Sequence, residues 1–205
     1  MPILTVIAGP NGSGKSTLIA QLLQDGVRLG TYINADDIAR DAGLVGEAGS
    51  KEAQRRADDL RAKCLADGDD FSFETVMSHP SKTEFMIKAK EAGLSVVLYF
   101  ICTSAPNINL RRVRHRVIFG GHDVPADRVV ARYYRSLELL PYAIKAADRA
   151  VLFDNSQHNE SSDNLLRIVA EIRQASHGKF TFNLRGELPA WCKPALAELG
   201  ARGSI

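Results

Sequence analysis

A chain of 205 residues, 45% of them hydrophobic and 24% charged, suits one compact α/β domain with a sizeable core and leaves little room for a second. The formal net charge of +2 is too small to call for a nucleic-acid or membrane partner by itself. Cys64, Cys102 and Cys192 are odd in number and far apart, so they indicate neither a disulfide framework nor a zinc site and fit a reducing cytosol. The start Met1-Pro2-Ile3-Leu4 carries no basic leader, and apolar runs such as Val96 to Cys102 are too short to span a bilayer, so a soluble cytoplasmic protein is expected.

The first apolar, β-branched run, residues 3–9, reads as a strand, and residues 15–23 read as a helix. Between them stands GPNGSGKST, which meets the phosphate-cradling pattern G-x-x-x-x-G-K-[ST] at every fixed position. That chemistry needs glycines for close backbone approach, a lysine for the outer phosphates and a hydroxyl for Mg²⁺. The nucleotide-binding candidates are therefore Gly9, Pro10, Asn11, Gly12, Ser13, Gly14, Lys15, Ser16 and Thr17, with Lys15 on phosphate and Ser16 on the metal.

Residues 31–35 form a short predicted strand, followed by Asp36 and Asp37. Asp36 sits where a carboxylate could take the proton of an attacking hydroxyl, while the bland reading has it capping the helix that starts near Ile38. Asp37 is assigned that cap. Residues 51–66 read as a helix and 71–76 as a strand, in which Glu74 is a carboxylate among apolar neighbours and needs a partner. Substrate or Mg²⁺ contact by Glu74, with Thr75 beside it, competes with a simple outward-facing position.

A helix over 81–92 precedes a strand over 95–101 that has no acid in or just after it, so a Walker-B position is missing there. Residues 109–119 and 126–147 read as helices rich in arginine: Arg112 and Arg116 share one face, and Arg128, Arg132 and Arg135 another. With Gly120, Gly121, His122 and Asp123 between them, residues 109–135 look like a hinged lid whose arginines stabilise a transferring phosphoryl group. A strand over 150–154, a helix over 162–175 and an alternating edge strand over 179–184 complete the chain, with Trp191 beyond. The division is a core over 1–178 and an extension of the same domain over 179–205.

Strands alternating with helices predict a doubly wound α/β fold with five parallel strands, whose ligands sit beyond the carboxyl ends of the strands. GPNGSGKST, INADDIA, FSFETV, RRVRHRV with GGHDVP, and RYYRSLELL together resemble the zeta-toxin-like P-loop kinases, over about residues 3–156. The resemblance implies a three-layer, adenylate-kinase-like core that uses ATP and Mg²⁺ to phosphorylate a small-molecule acceptor. In the best-known members that acceptor is a sugar hydroxyl of a UDP-N-acetylhexosamine. The resemblance makes Asp36 the catalytic base, Glu74 a substrate-contacting acid, and Lys15 and Ser16 the phosphate and metal ligands. It makes Arg112 or Arg116 the arginine bridging donor and acceptor phosphates, and an antitoxin-type protein the partner; Arg132 joins the substrate-binding candidates from its place in the lid. Two other readings stand beside it: an ATP-hydrolysing switch without a metabolite acceptor, and a nucleic-acid end kinase. Only Tyr133 and Tyr134 lie among the arginines as stacking aromatics, which ranks the last reading third.

Overall fold

The computed structural model describes residues 1–119, 124–157, 166–175 and 179–201. Seven strands form one sheet: β1 (Ile3–Ala8), β2 (Thr31–Ile33), β3 (Phe71–Thr75), β4 (Ser95–Cys102), β5 (Arg149–Asp154), β6 (Arg167–Gln174) and β7 (Phe180–Leu184). Their order is β2-β3-β1-β4-β5-β6-β7; the first five run parallel, and β6 and β7 are antiparallel to their neighbours. The helices are α1 (Lys15–Gln24), α2 (Ala35–Asp41), α3 (Gly46–Asp67), α4 (Ser81–Glu91), α5 (Pro106–Ile118), α6 (Ala126–Ala146) and α7 (Lys193–Glu198). Among the described residues no helix is long and apolar enough to cross a membrane.

Strand alternation divides the core. Leu4, Val6 and Ala8 of β1 pack with Phe71, Phe73, Met86, Leu98, Phe100 and Leu140 on one face, under α3, α4, α6 and α7. Ile7 joins Leu18 and Leu22 of α1, with Ile101, Val151 and Phe153, on the other. A strand covered on both faces must be apolar throughout, and β1 is buried from Leu4 to Ala8.

The strand order also fixes the place for a ligand. From β1 the chain winds out to β2 and back to β3 on one side, then crosses to β4 and β5 on the other, so the loop after β1 lies at the switch point. Register pairs Ala8 with Thr75 and Ile33 with Phe73, and the Gly9 N–H donates to the Thr75 carbonyl at 3.2 Å. The ends of β1 and β3 are therefore level, and β2 stops two residues short of them.

The five parallel strands stand as expected, and the alternating tail is the edge strand β7. The helix expected over 162–175 is overturned: residues 158–165 lie outside the described residues, and Arg167–Gln174 is strand β6. Ile168, Val169 and Ile172 supply β-branched bulk, and pairing with β5 buries Val169, Ala170 and Ile172, a tertiary gain that overrides helix propensity. Helices α3 and α5 start earlier than expected, α5 with Pro106 in its first turn.

The extension is tied to β5 by Trp191, whose indole N–H donates to Asp154 Oδ1 at 3.0 Å and whose ring lies 6.0 Å from that of Phe100. Asp154 is 8% exposed and also receives Ser156 Oγ at 2.6 Å and Arg167 at 3.5 Å. Trp191→Phe keeps the ring but removes a hydrogen bond to a buried carboxylate, so we expect a loss of about 1.5–3 kcal/mol. A lower urea midpoint at unchanged slope by far-UV circular dichroism is the expected result, and an unmoved midpoint would reject this tie.

Candidate active site

The loop after β1 enters α1 through Gly14, at φ 106, without a side-chain cap, so the first-turn N–H groups of α1 remain uncapped donors for an anion. Glycine is required here by space as well as by φ. A Cβ on Gly9 would lie 2.1 Å from the Ile101 carbonyl, and one on Gly14 would lie 2.3 Å from Asn155 Nδ2. Two asparagines brace the loop from outside. Asn155 Nδ2 donates to the Ser13 carbonyl at 2.8 Å, and the fully buried Asn109 donates to the Asn11 carbonyl at 2.7 Å while its Oδ1 accepts from the Thr103 hydroxyl. Asn155 follows β5, where strand-end logic looks for polar residues. Asn109 was missed as a brace, and its one sequence signal is its share of a helix face with Val113.

Lys15 is 7% exposed, with its ammonium 3.0 Å from the Gly9 carbonyl, 3.2 Å from that of Pro10 and 3.7 Å from Glu74 Oε1. Burial pulls its pKa below the ordinary lysine value; Glu74 opposes this, Arg116 adds to it and Asp36 opposes it. Glu74 is thus no outward-facing residue: alternation sets it on the sheet face opposite Phe73, beside Lys15. Thr75 Oγ1 accepts from the Met77 N–H at 3.0 Å, in a turn that holds Met77 at φ 54 although it is fully buried. A non-glycine residue in this region costs about 1 kcal/mol or more, and the turn carries Ser78 and His79 onto the cavity wall.

Asp36 stands in the first turn of α2, but neither it nor Asp37 caps that helix. Asn34 is the cap, its Oδ1 accepting from the Asp36 N–H at 2.8 Å. A helix starting at Ala35 rather than near Ile38 moves the capping position upstream, and Asp37 pairs with Arg40 at 2.7 Å instead. Asn34 is held in turn by donating to the Tyr32 hydroxyl at 3.0 Å, a phenol whose pKa burial pushes up to about 12.

Asp36, Glu74, Thr75 and Lys15 line one cavity of about 450 Å³ with Asn11 and Gly12 of the loop. Arg116 of α5 and Arg128 and Arg132 of α6 line it as well. Helix α6 is anchored: the Tyr133 hydroxyl donates to the Thr103 carbonyl at 2.7 Å, and the helix runs unbroken into the core at Leu140 and Ile144. Arg112 does not reach this cavity. It lines a neighbouring one of about 500 Å³ with Ile108, Arg111, His115, Ser156 and Arg116, and its Nη1 is buried without a hydrogen-bond partner among the described residues. Burial lowers the Arg112 pKa, and Arg111 adds to that. Arg135 lies outside both cavities, with Nε on the Ala131 carbonyl at 3.3 Å. Ser16 and Thr17 are exposed in the first turn of α1. The expected glycine hinge, residues 120–123, lies outside the described residues. Among the described residues no group of three or more His, Cys, Asp or Glu could hold a metal ion.

Asn109→Ala strips partners from the Asn11 carbonyl and the Thr103 hydroxyl at a buried point, which should cost about 1–3 kcal/mol. Urea unfolding measures it. A variant as stable as the parent would show that α5 does not brace the loop.

The zeta toxin family model matches residues 1–164. An uncharacterized protein of Haemophilus influenzae is 36% identical over 126 residues, covering 61% of this chain and 88% of that protein. Among solved structures, the AvrRxo1-ORF1:AvrRxo1-ORF2 complex with sulphate ions superposes with a TM-score of 0.63 at 18% identity, covering all of this chain, which spans 66% of the length of that one. A structure from the PezAT chromosomal toxin-antitoxin system of Streptococcus pneumoniae gives 0.57 at 15% identity, over 82% of this chain and 70% of that chain. At these identities the two structures attest the fold alone. The family match runs from residue 1 to residue 164 of 205, and the chain belongs to the zeta toxin family.

Proposed function

We propose that this chain is a P-loop kinase that moves the γ-phosphate of ATP onto a hydroxyl of a small molecule. The observation that carries this reading is the shared cavity, in which Asp36 lies within electrostatic reach of Lys15, with Glu74 and Arg116 beside them. A switch that only hydrolyses nucleotide has no need of an acceptor-sized space at its base.

The residues fit a nucleotide. Positive-φ glycines open the loop backbone, and Ser13 Oγ and Asn11 Oδ1 are buried there without partners among the described residues. A related fold, the AvrRxo1-ORF1:-ORF2 complex, has been solved with ATP. The exposed Ser16 hydroxyl, next to Lys15, would hold Mg²⁺, an ion that keeps several waters and takes few protein ligands. When bound, Mg²⁺ supplies charge neutralisation on the outer phosphates.

In the reaction the acceptor oxygen bonds to the γ-phosphorus as the bond to the bridging oxygen breaks, and ADP departs with that electron pair. Asp36 receives the hydroxyl proton. Lys15 neutralises charge on the outer phosphates, and Arg116, Arg128 and Arg132 stabilise the charge spread over the transferring group. Glu74 positions the Lys15 ammonium and borders the acceptor. The acceptor class is a nucleotide-containing metabolite of the UDP-N-acetylhexosamine type, and the partner an antitoxin-type protein.

Asp36→Asn should lower kcat about a hundredfold or more, the usual size of a general-base effect, with ATP affinity little changed. The assay is ADP release with and without a metabolite extract. Release in the wild type that does not depend on the extract would replace the kinase with a hydrolase, and full transfer by Asp36→Asn would remove the base. Lys15→Met should abolish ADP binding by calorimetry while the far-UV spectrum stays intact.

A further inference from the structure

The cavity has a second basic wall that phosphoryl transfer leaves unused. Arg61 of α3 and Lys82 of α4 both line it, on different helices from the arginines of α5 and α6. The Arg61 side chain is 4% exposed, its guanidinium 5.0 Å above the Phe73 ring, and one of its nitrogens bonds Asp58. Lys82 reaches the same Asp58 oxygen at 3.3 Å. Two cations therefore share one carboxylate, and that carboxylate is 54% exposed and does not line the cavity.

The two cations are joined through Asp58. Burial lowers the Lys82 pKa, Arg61 lowers it further and Asp58 opposes both. Beside it on the wall stands His79, whose Nδ1 accepts from the Ser81 N–H at 3.2 Å, which leaves the proton of the neutral ring on Nε2 as a donor. A buried cation without full compensation is costly, and a guanidinium fork suits carboxylate or phosphate. A purely structural Arg61 would be served by Asp58 and Phe73, with no reason for a second half-buried cation facing it.

We propose that Arg61, Lys82 and His79 form an anion subsite that grips an acidic group of the acceptor, a carboxylate or a phosphate. The substrate is then an acid-bearing alcohol, held at one end by this wall while its hydroxyl meets Asp36. The inference rests on the kinase reading for its role in the reaction, but the subsite itself is measurable without turnover.

The test is calorimetric titration of inorganic phosphate, and separately malonate, into protein saturated with ADP and Mg²⁺, so that the loop is filled. Saturable binding is expected, weakened about tenfold or more in Lys82→Met by loss of a charged hydrogen bond, kept in Lys82→Arg, and weakened at least as far in Arg61→Met. ADP affinity should be unchanged in all three. Lys82 is the more exposed partner, so its variants decide the matter if Arg61→Met fails to fold. Tighter phosphate than malonate identifies a phosphorylated acceptor, and the reverse identifies a carboxylate. Absence of saturable binding, or equal binding by wild type and Lys82→Met, overturns the subsite. Failure of the kinase reading shows separately, as absence of extract-dependent ADP release by a protein whose phosphate titration still responds to Lys82→Met.

Discussion

Lys15 carries an ammonium into a position 7% exposed, and an unpaired buried charge costs several kcal/mol. The surroundings answer that cost in order. The Gly9 and Pro10 carbonyls accept from the ammonium, Glu74 stands at 3.7 Å, and Glu74 can stand there only because β3 pairs with β1 in a register that ends level with the loop. That register in turn needs β1 apolar on both faces, with α1 on one and the helical layer on the other. The sheet order, the loop and the charge pair are one arrangement.

The turn after β5 adds a different kind of support. Asp154, Asn155 and Ser156 are consecutive, yet each serves a separate neighbour. Asp154 takes the Trp191 indole, Asn155 holds the Ser13 carbonyl, and Ser156 Oγ accepts from the Ser104 N–H at 2.7 Å. The turn after β5 is therefore clamped between the C-terminal extension and the loop after β1. Covering β5 with the antiparallel β6 and β7 also removes an open parallel edge next to the site.

What the sequence made legible was whatever the backbone itself demands. A phosphate loop needs glycine at fixed offsets, so GPNGSGKST could be read directly, and strand-end logic then brought Asp36 and Glu74 to the same edge. What depended on packing was not legible. Arg167–Gln174 carries polar residues at spacings that suit a helix, and only the uncovered side of β5 makes it a strand. Arg112 and Arg116 share a face of α5, and Arg116, one turn further along, lines both cavities while Arg112 lines only the neighbouring one, a difference of axial position that spacing alone does not reveal. Arg61 sits in a run of charges joined by i,i+3 and i,i+4 pairs, where it looks like any solvated helix residue. Its burial over Phe73 is a property of how α3 meets β3, and α3 alone does not contain it.

Charge tells the same story at larger scale. A net charge of +2 over the chain conceals a cavity lined, among the described residues, by six lysine and arginine side chains against two carboxylates. The balancing acids lie elsewhere, many along the outer face of α3, where Glu52, Asp58 and Asp59 pair with Arg55, Arg56 and Arg61. Separating the signs in this way concentrates positive potential in a concave, partly water-excluded space, which raises the local concentration of anionic ligands. Within it the two carboxylates are set by neighbouring strand ends rather than scattered. Glu74 stands by the lysine, and Asp36 has no ion pair of its own among the described residues.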